Sequence, residues 1–102
     1  MHVLSDVTDD GVRVLTLSGN FDTAAAQVHG KHLVALADRS IALNMKEMAF
    51  IASSGLRVLL QMARACQENG KKLVLCHPND VVTEILSISG FDRIIEINNA
   101  AC

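Results

Sequence analysis

Two short segments near the start of the chain, residues 3–7 and 12–17, are predicted strands, and in the second of them Val12, Val14 and Thr16 alternate with Arg13, Leu15 and Leu17. A period of two is typical of half-buried strands, because successive side chains of a strand point to opposite faces of its sheet. Asp9, Asp10 and Gly11, which separate the segments, are common turn residues. The pattern therefore predicts a β-hairpin at the start of the fold.

Apolar residues then recur at helical spacing in three later segments. Residues 23–38 predict a first helix whose apolar face carries Ala25, Val28, His32 and Leu36. Residues 54–69 predict the clearest amphipathic helix, whose apolar face carries Leu56, Leu59, Ala63 and Cys66. This helix is expected to end at Gly70, and a third helix is expected to begin at residues 78–80 and to end at Gly90.

Short apolar segments between these helices predict further strands at residues 41–45, 72–76 and 93–97. The order is β-β-α-β-α-β-α-β, which indicates an α/β fold. We expect a mixed sheet of about five strands, with an N-terminal β-hairpin followed by βαβ units, and three main helices. The βαβ crossovers should be right-handed. A length of 102 residues fits one domain, residues 1–102.

Composition excludes several classes of function. No apolar run approaches the roughly 20 residues of a membrane-spanning helix, and residues 1–10 do not resemble a signal peptide, so we expect a soluble protein that is not exported and does not insert into membranes. The net charge of −2 and the presence of only three aromatic residues argue against nucleic-acid binding. Cys66, Cys76 and Cys102 are odd in number and scattered, which predicts neither a disulfide framework nor a zinc site and favours a reducing cytoplasm.

The most informative segment is residues 50–56, which joins a predicted strand to the amphipathic helix. Ser53 and Ser54 are expected at the start of that helix, where free backbone N–H groups and the positive end of the helix dipole converge. A phosphate on Ser53 would be tolerated there. The alternative is that a serine caps the helix, although Leu56 stands where a reciprocal capping box would have Glu or Gln.

Other chemistry finds little support in the sequence. His29 and His32 are one helical turn apart, but no acidic residue or cysteine nearby in sequence completes a metal site, so we predict no metal. His77 follows a predicted strand and could approach Ser53, yet there is no GxSxG motif and no glycine-rich phosphate loop. We therefore predict no catalytic residue, no cofactor and no enzymatic activity.

Four segments together resemble one known family. Residues 17–22 (LSGNFD), 41–45 (IALNM), 50–56 (FIASSGL) and 89–95 (SGFDRII) are similar, in this order, to segments of the bacterial anti-sigma-factor antagonists, which have a STAS domain. The resemblance covers nearly the whole chain. It implies the STAS fold, whose order of elements is the one predicted above.

The resemblance also implies a partner-switching mechanism. The unphosphorylated protein would bind an anti-sigma factor that is also a serine-protein kinase, phosphorylation of Ser53 would release it, and a serine phosphatase of the PP2C type would restore binding. Ser54 is the alternative acceptor. Asp22, Asn44 and Gly55 are then expected around the phosphorylation site. The family usually has Asp where this chain has Ala52, and an acidic residue is common where it has Asn20.

The partner surface is expected around this loop and along the following helix, where Val58 and Met62 flank the polar stripe. The predicted partner-binding residues are Asn20, Phe21, Ala52, Ser54, Arg57, Val58 and Met62. Alternatively, the apolar members of this set pack under neighbouring loops. A second hypothesis for function is a STAS scaffold subunit that is not phosphorylated, within a stressosome-like assembly or a lipid-transport ABC assembly.

Overall fold

Six strands and three α-helices make up the protein, and the computed structural model describes all 102 residues. The elements in chain order are β1 (His2–Val7), β2 (Arg13–Phe21), α1 (Thr23–Ala35), β3 (Ile41–Asn44), β4 (Met48–Ile51), α2 (Ser53–Glu68), β5 (Leu73–Cys76), α3 (Asp80–Ile88) and β6 (Glu96–Ile97). Two short 3-10 helices, Phe91–Arg93 and Asn99–Ala101, flank β6.

The strands form one mixed sheet in the order β1-β2-β3-β5-β6. β1 and β2 are antiparallel and form the predicted hairpin, whereas β3, β5 and β6 follow in parallel. β4 pairs with the last residues of β2, beyond the end of β3. The predicted mixed α/β fold is confirmed. Its sixth strand, β4, was not predicted, because Ala49 and Phe50 are both exposed and the segment therefore lacks a period of two.

The helices cover one face of the sheet, and the core lies between the two layers. It forms one cluster of 21 buried residues, to which all three α-helices and the strands β2, β3, β4 and β5 contribute. Leu15, Leu43 and Leu75, from three neighbouring strands, are all fully buried in it. No helix of the structure has the length and apolar character needed to cross a membrane.

The buried face of α1 differs from the predicted one. Val28 is 75% exposed and His32 is also exposed, while Ala25, Gly30 and Leu33 point inward. Apolar residues occur around most of the circumference of α1, so their spacing did not single out the inner face. The packing of α1 on α2 sets the buried face of α1 instead, since Gly30 of α1 lies against Val58 of α2.

The end of the chain differs from prediction in two ways. β6 begins only at Glu96, because Gly90, with φ of +78°, leads into a 3-10 helix before the strand can start. Cys76 and Cys102 form a disulfide with a Cα–Cα distance of 6.1 Å, so the prediction of no disulfide was wrong. Residues 98–102 fold back toward the end of β5, and the spacing of cysteines in the sequence cannot show such a return.

Candidate functional site

The loop that carries Ser53 is fixed by the pairing of β4 with the end of β2. Phe21 is the register partner of Ile51, and the N–H of Ala52 donates to the carbonyl of Phe21 at 3.0 Å. α2 then begins at Ser53, close to the start of α1 at Thr23. The two helix starts are joined by a hydrogen bond of 3.0 Å between the hydroxyls of Thr23 and Ser54.

Gly55 is required for this arrangement. A Cβ built on Gly55 would lie 2.7 Å from the carbonyl oxygen of Phe21 and 2.9 Å from Cγ1 of Ile51. Carbon atoms do not approach a backbone oxygen so closely, and the carbonyl is held by its hydrogen bond to Ala52. The absence of a side chain at Gly55 therefore lets α2 start directly against β2.

The start of α2 has no side-chain cap. Its N-cap residue is Ala52, which offers no acceptor, and the first backbone N–H bonded within the helix is that of Leu56, which donates to Ala52 at 3.0 Å. The N–H groups of Ser53, Ser54 and Gly55 are therefore left without acceptors from the helix itself. The alternative that a serine caps α2 is excluded, because the Ser54 hydroxyl bonds Thr23 and Ser53 lies inside the first turn.

Ser53 itself is exposed, and its hydroxyl makes no hydrogen bond within the protein. The side chain is therefore accessible at the positively polarised end of a 16-residue helix. Arg57, also exposed, lies one helical turn further along α2, where i and i+4 side chains are neighbours. The arrangement can accommodate a negatively charged group on the Ser53 oxygen.

Of the residues expected around Ser53, Gly55 and Asp22 lie at the site and Asn44 does not. Asp22 caps α1, where its Oδ1 accepts from the N–H of Ala25 at 2.9 Å. Asn44 pairs in register with Thr16, whereas Ile51 pairs with Phe21, five residues further along β2. At about 3.3 Å per residue, this offset is roughly 16 Å. The prediction for Asn44 is therefore corrected, since β3 ends well before the level of the loop.

The predicted partner-binding residues divide into an exposed and a buried group. Asn20 and Arg57 are exposed, and Ala52 and Ser54 are half-buried. The buried residues are Phe21, Val58 and Met62, with exposed fractions of 0%, 6% and 0%. Their side chains offer no surface to a partner, so these three predictions are corrected. α1 packs along the flank of α2 that carries Val58, which makes that flank part of the core.

Two residues of the site were missed in the sequence. Phe50 is 43% exposed and is the register partner of Asn20, so it places an aromatic ring on the same side of the sheet. Thr23 holds the two helix starts together through Ser54. The position of Thr23, directly after a capping Asp, was the available signal for its place at a helix start.

His29 lines a cleft with Asn20 and Asp22 beside the start of α1, whereas His77 lies away from the loop. No three His, Cys, Asp or Glu side chains lie close enough together to hold a metal ion. His77 follows Cys76, the register partner of Asn44, and therefore lies at the level of Asn44 instead of the level of the loop. Its backbone N–H donates to Oδ1 of Asn99 at 2.8 Å.

Comparison with known proteins identifies relatives across nearly the whole length of the chain. The family model of the STAS domain matches residues 4–101. BtrV of Bordetella bronchiseptica, whose name describes it as an anti-sigma factor antagonist, is 33% identical over 94 residues, which cover 89% of this chain and 81% of BtrV. The anti-sigma F factor antagonist of Paenibacillus polymyxa is 29% identical over 91 residues, covering 85% of this chain and 78% of that protein.

Solved structures with the same fold include an anti-sigma factor antagonist from Thermotoga maritima, with a TM-score of 0.84 and 23% identity over 93% of this chain and 84% of that one. The antagonist SpoIIAA in its unphosphorylated form has a TM-score of 0.80 and 18% identity, covering 95% of this chain and 88% of that one. The phosphorylated form of SpoIIAA from Bacillus has a TM-score of 0.72 and 17% identity, covering 95% of this chain and 91% of that one. At these identities the structures are similar to this chain in fold.

Proposed function

The chain belongs to the STAS domain family, and from this premise we propose that it is an anti-sigma-factor antagonist that is switched by phosphorylation of Ser53. In its unphosphorylated form it binds an anti-sigma factor that is also a serine-protein kinase. Phosphorylation of Ser53 ends that binding, and a serine phosphatase of the PP2C type restores it. This is a regulatory role without catalysis by the chain itself, and it places the protein in the cytoplasm, where sigma factors act.

The names of the relatives support the proposed role as an anti-sigma-factor antagonist. BtrV and the Paenibacillus polymyxa protein are both named as anti-sigma factor antagonists, and most of each is covered by the match. SpoIIAA supports the proposed control by phosphorylation, because this antagonist occurs in an unphosphorylated and a phosphorylated form and both forms share the fold of this chain.

The observation that carries the switch is the exposed and unbonded hydroxyl of Ser53 at an uncapped helix start. A kinase can reach this oxygen without unfolding the domain. The product carries about −1.5 to −2 charges at neutral pH, and these lie next to the free N–H groups of the first turn of α2. The fold therefore tolerates both states of Ser53.

Loss of the partner follows from the position of the new charge. Four exposed residues, Asn20, Phe50, Ser53 and Arg57, together with the half-buried Ala52, form the proposed partner surface, here called the loop surface. Phe50 gives it the apolar anchor that protein interfaces favour. A phosphate in the middle of a packed interface would have to be desolvated, and the single positive charge of Arg57 does not balance its charge of about −1.5 to −2, so its burial is costly. Binding is thus reversed without refolding of the domain.

A scaffold that is never phosphorylated is the second candidate, because Ala52 replaces the acidic residue usual before the acceptor serine in the family. Such a STAS subunit of a stressosome-like or lipid-transport ABC assembly would use the same loop surface. It would bind its partner whatever the charge at position 53.

The test uses the full chain and each kinase-type anti-sigma factor of the source genome. After incubation with ATP and peptide mass spectrometry, we expect one phosphate on Ser53, which Ser53→Ala abolishes and the matched variant Ser54→Ala retains. In a pulldown, the wild-type chain should retain the anti-sigma factor and the Ser53→Asp chain should not. Phosphate on Ser54 alone, or none with any kinase, contradicts the switch. A Ser53→Asp chain that binds as well as wild type would establish the scaffold instead.

A further inference from the structure

Two buried apolar residues, Ala42 and Cys76, do not belong to the core cluster, although their exposed fractions are only 2% and 0%. Ala42 lies between Ile41 and Leu43 on β3, and both of these neighbours are in the core. Because successive side chains of a strand point to opposite faces, Ala42 points to the face of the sheet that carries no helix. A second, smaller buried patch therefore exists on this outer face.

Residues 98–102, here called the strap, cover this patch. Ala101 lines one cleft together with Ala42 and Val74 of the outer face. The strap is attached to the sheet through the N–H of Asn98, which donates to Leu75 at 2.9 Å, through the bond from His77 to Asn99, and through the disulfide from Cys102 to Cys76. Apart from the peptide bond to Ile97 at the end of β6, the disulfide is its only covalent attachment to the sheet.

We propose that Cys76 and Cys102 form a redox-controlled clasp, which holds the strap over the outer face when oxidised and releases it when reduced. Disulfides in cytoplasmic proteins are usually transient or redox-sensing, since thiol reductants act on them there. Release of the strap uncovers Ala42 and Val74, on the face of the sheet opposite the helices. This proposal does not depend on phosphorylation of Ser53.

The oxidant is a small disulfide such as oxidised glutathione. The exposed Cys102 gives up its proton, and its thiolate attacks one sulfur of that disulfide, so that a mixed disulfide forms and one glutathione thiolate leaves. Cys76, as a thiolate, then attacks the Cys102 sulfur and displaces the second glutathione thiolate. Two electrons pass from the two cysteines to the oxidant, and the two protons that they release go to the glutathione thiolates. A dithiol reduces the clasp: one of its thiolates attacks a clasp sulfur and displaces one cysteine thiolate, its second thiolate closes a cyclic disulfide and displaces the other, and the two dithiol protons go to the cysteines.

Cys66 cannot replace either partner. It is 1% exposed within the core cluster on the helix side of the sheet, where its Sγ lies 3.8 Å from the carbonyl oxygen of Arg39. Burial also raises the pKa of the Cys66 thiol, which reduces its fraction of reactive thiolate at neutral pH. The sheet thus separates Cys66 from the clasp, and Cys66→Ser is the matched control.

The strap should respond locally. Apart from the clasp it is held by few long-range hydrogen bonds, and segments of this kind open with little free energy. The core cluster contains neither Cys76 nor any residue of the strap, so reduction should leave the domain folded.

The experiment treats the full chain with glutathione disulfide or with dithiothreitol, then maps disulfides by mass spectrometry and measures amide hydrogen exchange. We expect a Cys76–Cys102 linked peptide in the oxidised wild type and in Cys66→Ser, which dithiothreitol removes. Reduction and Cys102→Ser should each speed exchange in residues 98–102 by about tenfold or more, with α2 unchanged. A bond that involves Cys66, no bond under glutathione disulfide, or equal exchange of the strap in both states would overturn the clasp. All three outcomes are independent of the kinase assay on Ser53.

Discussion

Gly55 packs directly on the carbonyl of Phe21, so closely that a Cβ at position 55 would lie 2.7 Å from the oxygen. This contact fixes the start of α2 against the end of β2 and so sets the height at which Ser53 projects from the surface. Gly55→Ala should therefore destabilise the domain by about 1–3 kcal/mol, because the carbonyl and Ile51 must both move. Urea unfolding followed by circular dichroism measures the change.

Gly30→Ala is the matched control for Gly55→Ala. A Cβ on Gly30 would meet only Cγ2 of Val58, at 3.2 Å, and a side-chain methyl can shift. Alanine also gains about 1 kcal/mol over glycine in a helix interior, which offsets the contact. We expect Gly30→Ala to lower the free energy of unfolding clearly less than Gly55→Ala does. Equal losses of stability would show that the contact with the Phe21 carbonyl does not cause the effect at Gly55.

Ala52→Asp should stabilise the protein by about 1 kcal/mol, since an Asp side chain at this N-cap can accept from the free N–H groups of the first turn of α2. The carboxylate also complements the helix dipole. A capped carboxyl has a lowered pKa in the folded state, so the gain should be present at neutral pH and fade as the pH falls below about 4. Ala52→Asn is the uncharged control, and its gain should persist in acid. No gain from either variant would mean that the N–H groups already have other acceptors.

Met62→Ala and Phe50→Ala distinguish a core residue, whose loss lowers stability, from a residue of the loop surface, whose loss lowers affinity for the partner. Met62 is fully buried, so its truncation should cost about 2–5 kcal/mol of stability and leave the affinity of the folded protein for its partner unchanged. Phe50→Ala should instead cost about 1 kcal/mol of stability or less and weaken binding about tenfold or more. Calorimetry against the anti-sigma factor, at a temperature where both variants are folded, measures the affinities. A reversal of the two effects would move the interface to the flank of α2.

Arg57→Glu reports on the charge of the same surface. Arg57 is exposed and makes no ion pair in the structure, so its reversal should change stability by no more than about 0.5 kcal/mol. If the partner meets this part of α2, its association should slow and lose part of its salt dependence. Stopped-flow association rates at two salt concentrations measure the effect, and unchanged rates would exclude Arg57 from the interface.

Stability should fall at alkaline pH because of Cys66. Burial raises the pKa of its thiol above the ordinary value of 9.0, and the Asp38 carboxylate adds to the rise. The unfolded chain therefore loses this proton first as the pH rises, so the contribution of Cys66 is complete below 9.0 and is lost toward the folded-state pKa. Urea unfolding from about pH 8 to 10.5 should show a steeper decline with Cys66 than with Cys66→Ser. Both chains carry Cys76→Ser and Cys102→Ser to prevent disulfide exchange, and parallel declines would contradict the prediction.

Some features were predictable because they depend on neighbours in sequence. The hairpin of β1 and β2 and the amphipathic α2 follow from local alternation and helical spacing, which reflect one buried face and one solvent face. Ser53 could be placed at a helix start for the same reason. By contrast, Val28 and Met62 were assigned to the wrong environments, because whether the flank of a helix is buried depends on the helix packed beside it.

Periodicity and turn residues act over a few neighbours, so the sequence alone predicts the mixed sheet, the position of Ser53 at the start of α2 and the order of every strand and α-helix but β4. The folded chain was needed to show that Asn44 lies well short of the loop, that Phe50 and not Phe21 faces outward, and that Cys76 meets Cys102. Each of these depends on strand register or on a chain return between residues that are far apart in sequence. Such contacts are selected by the packing of the whole domain, which no local pattern encodes.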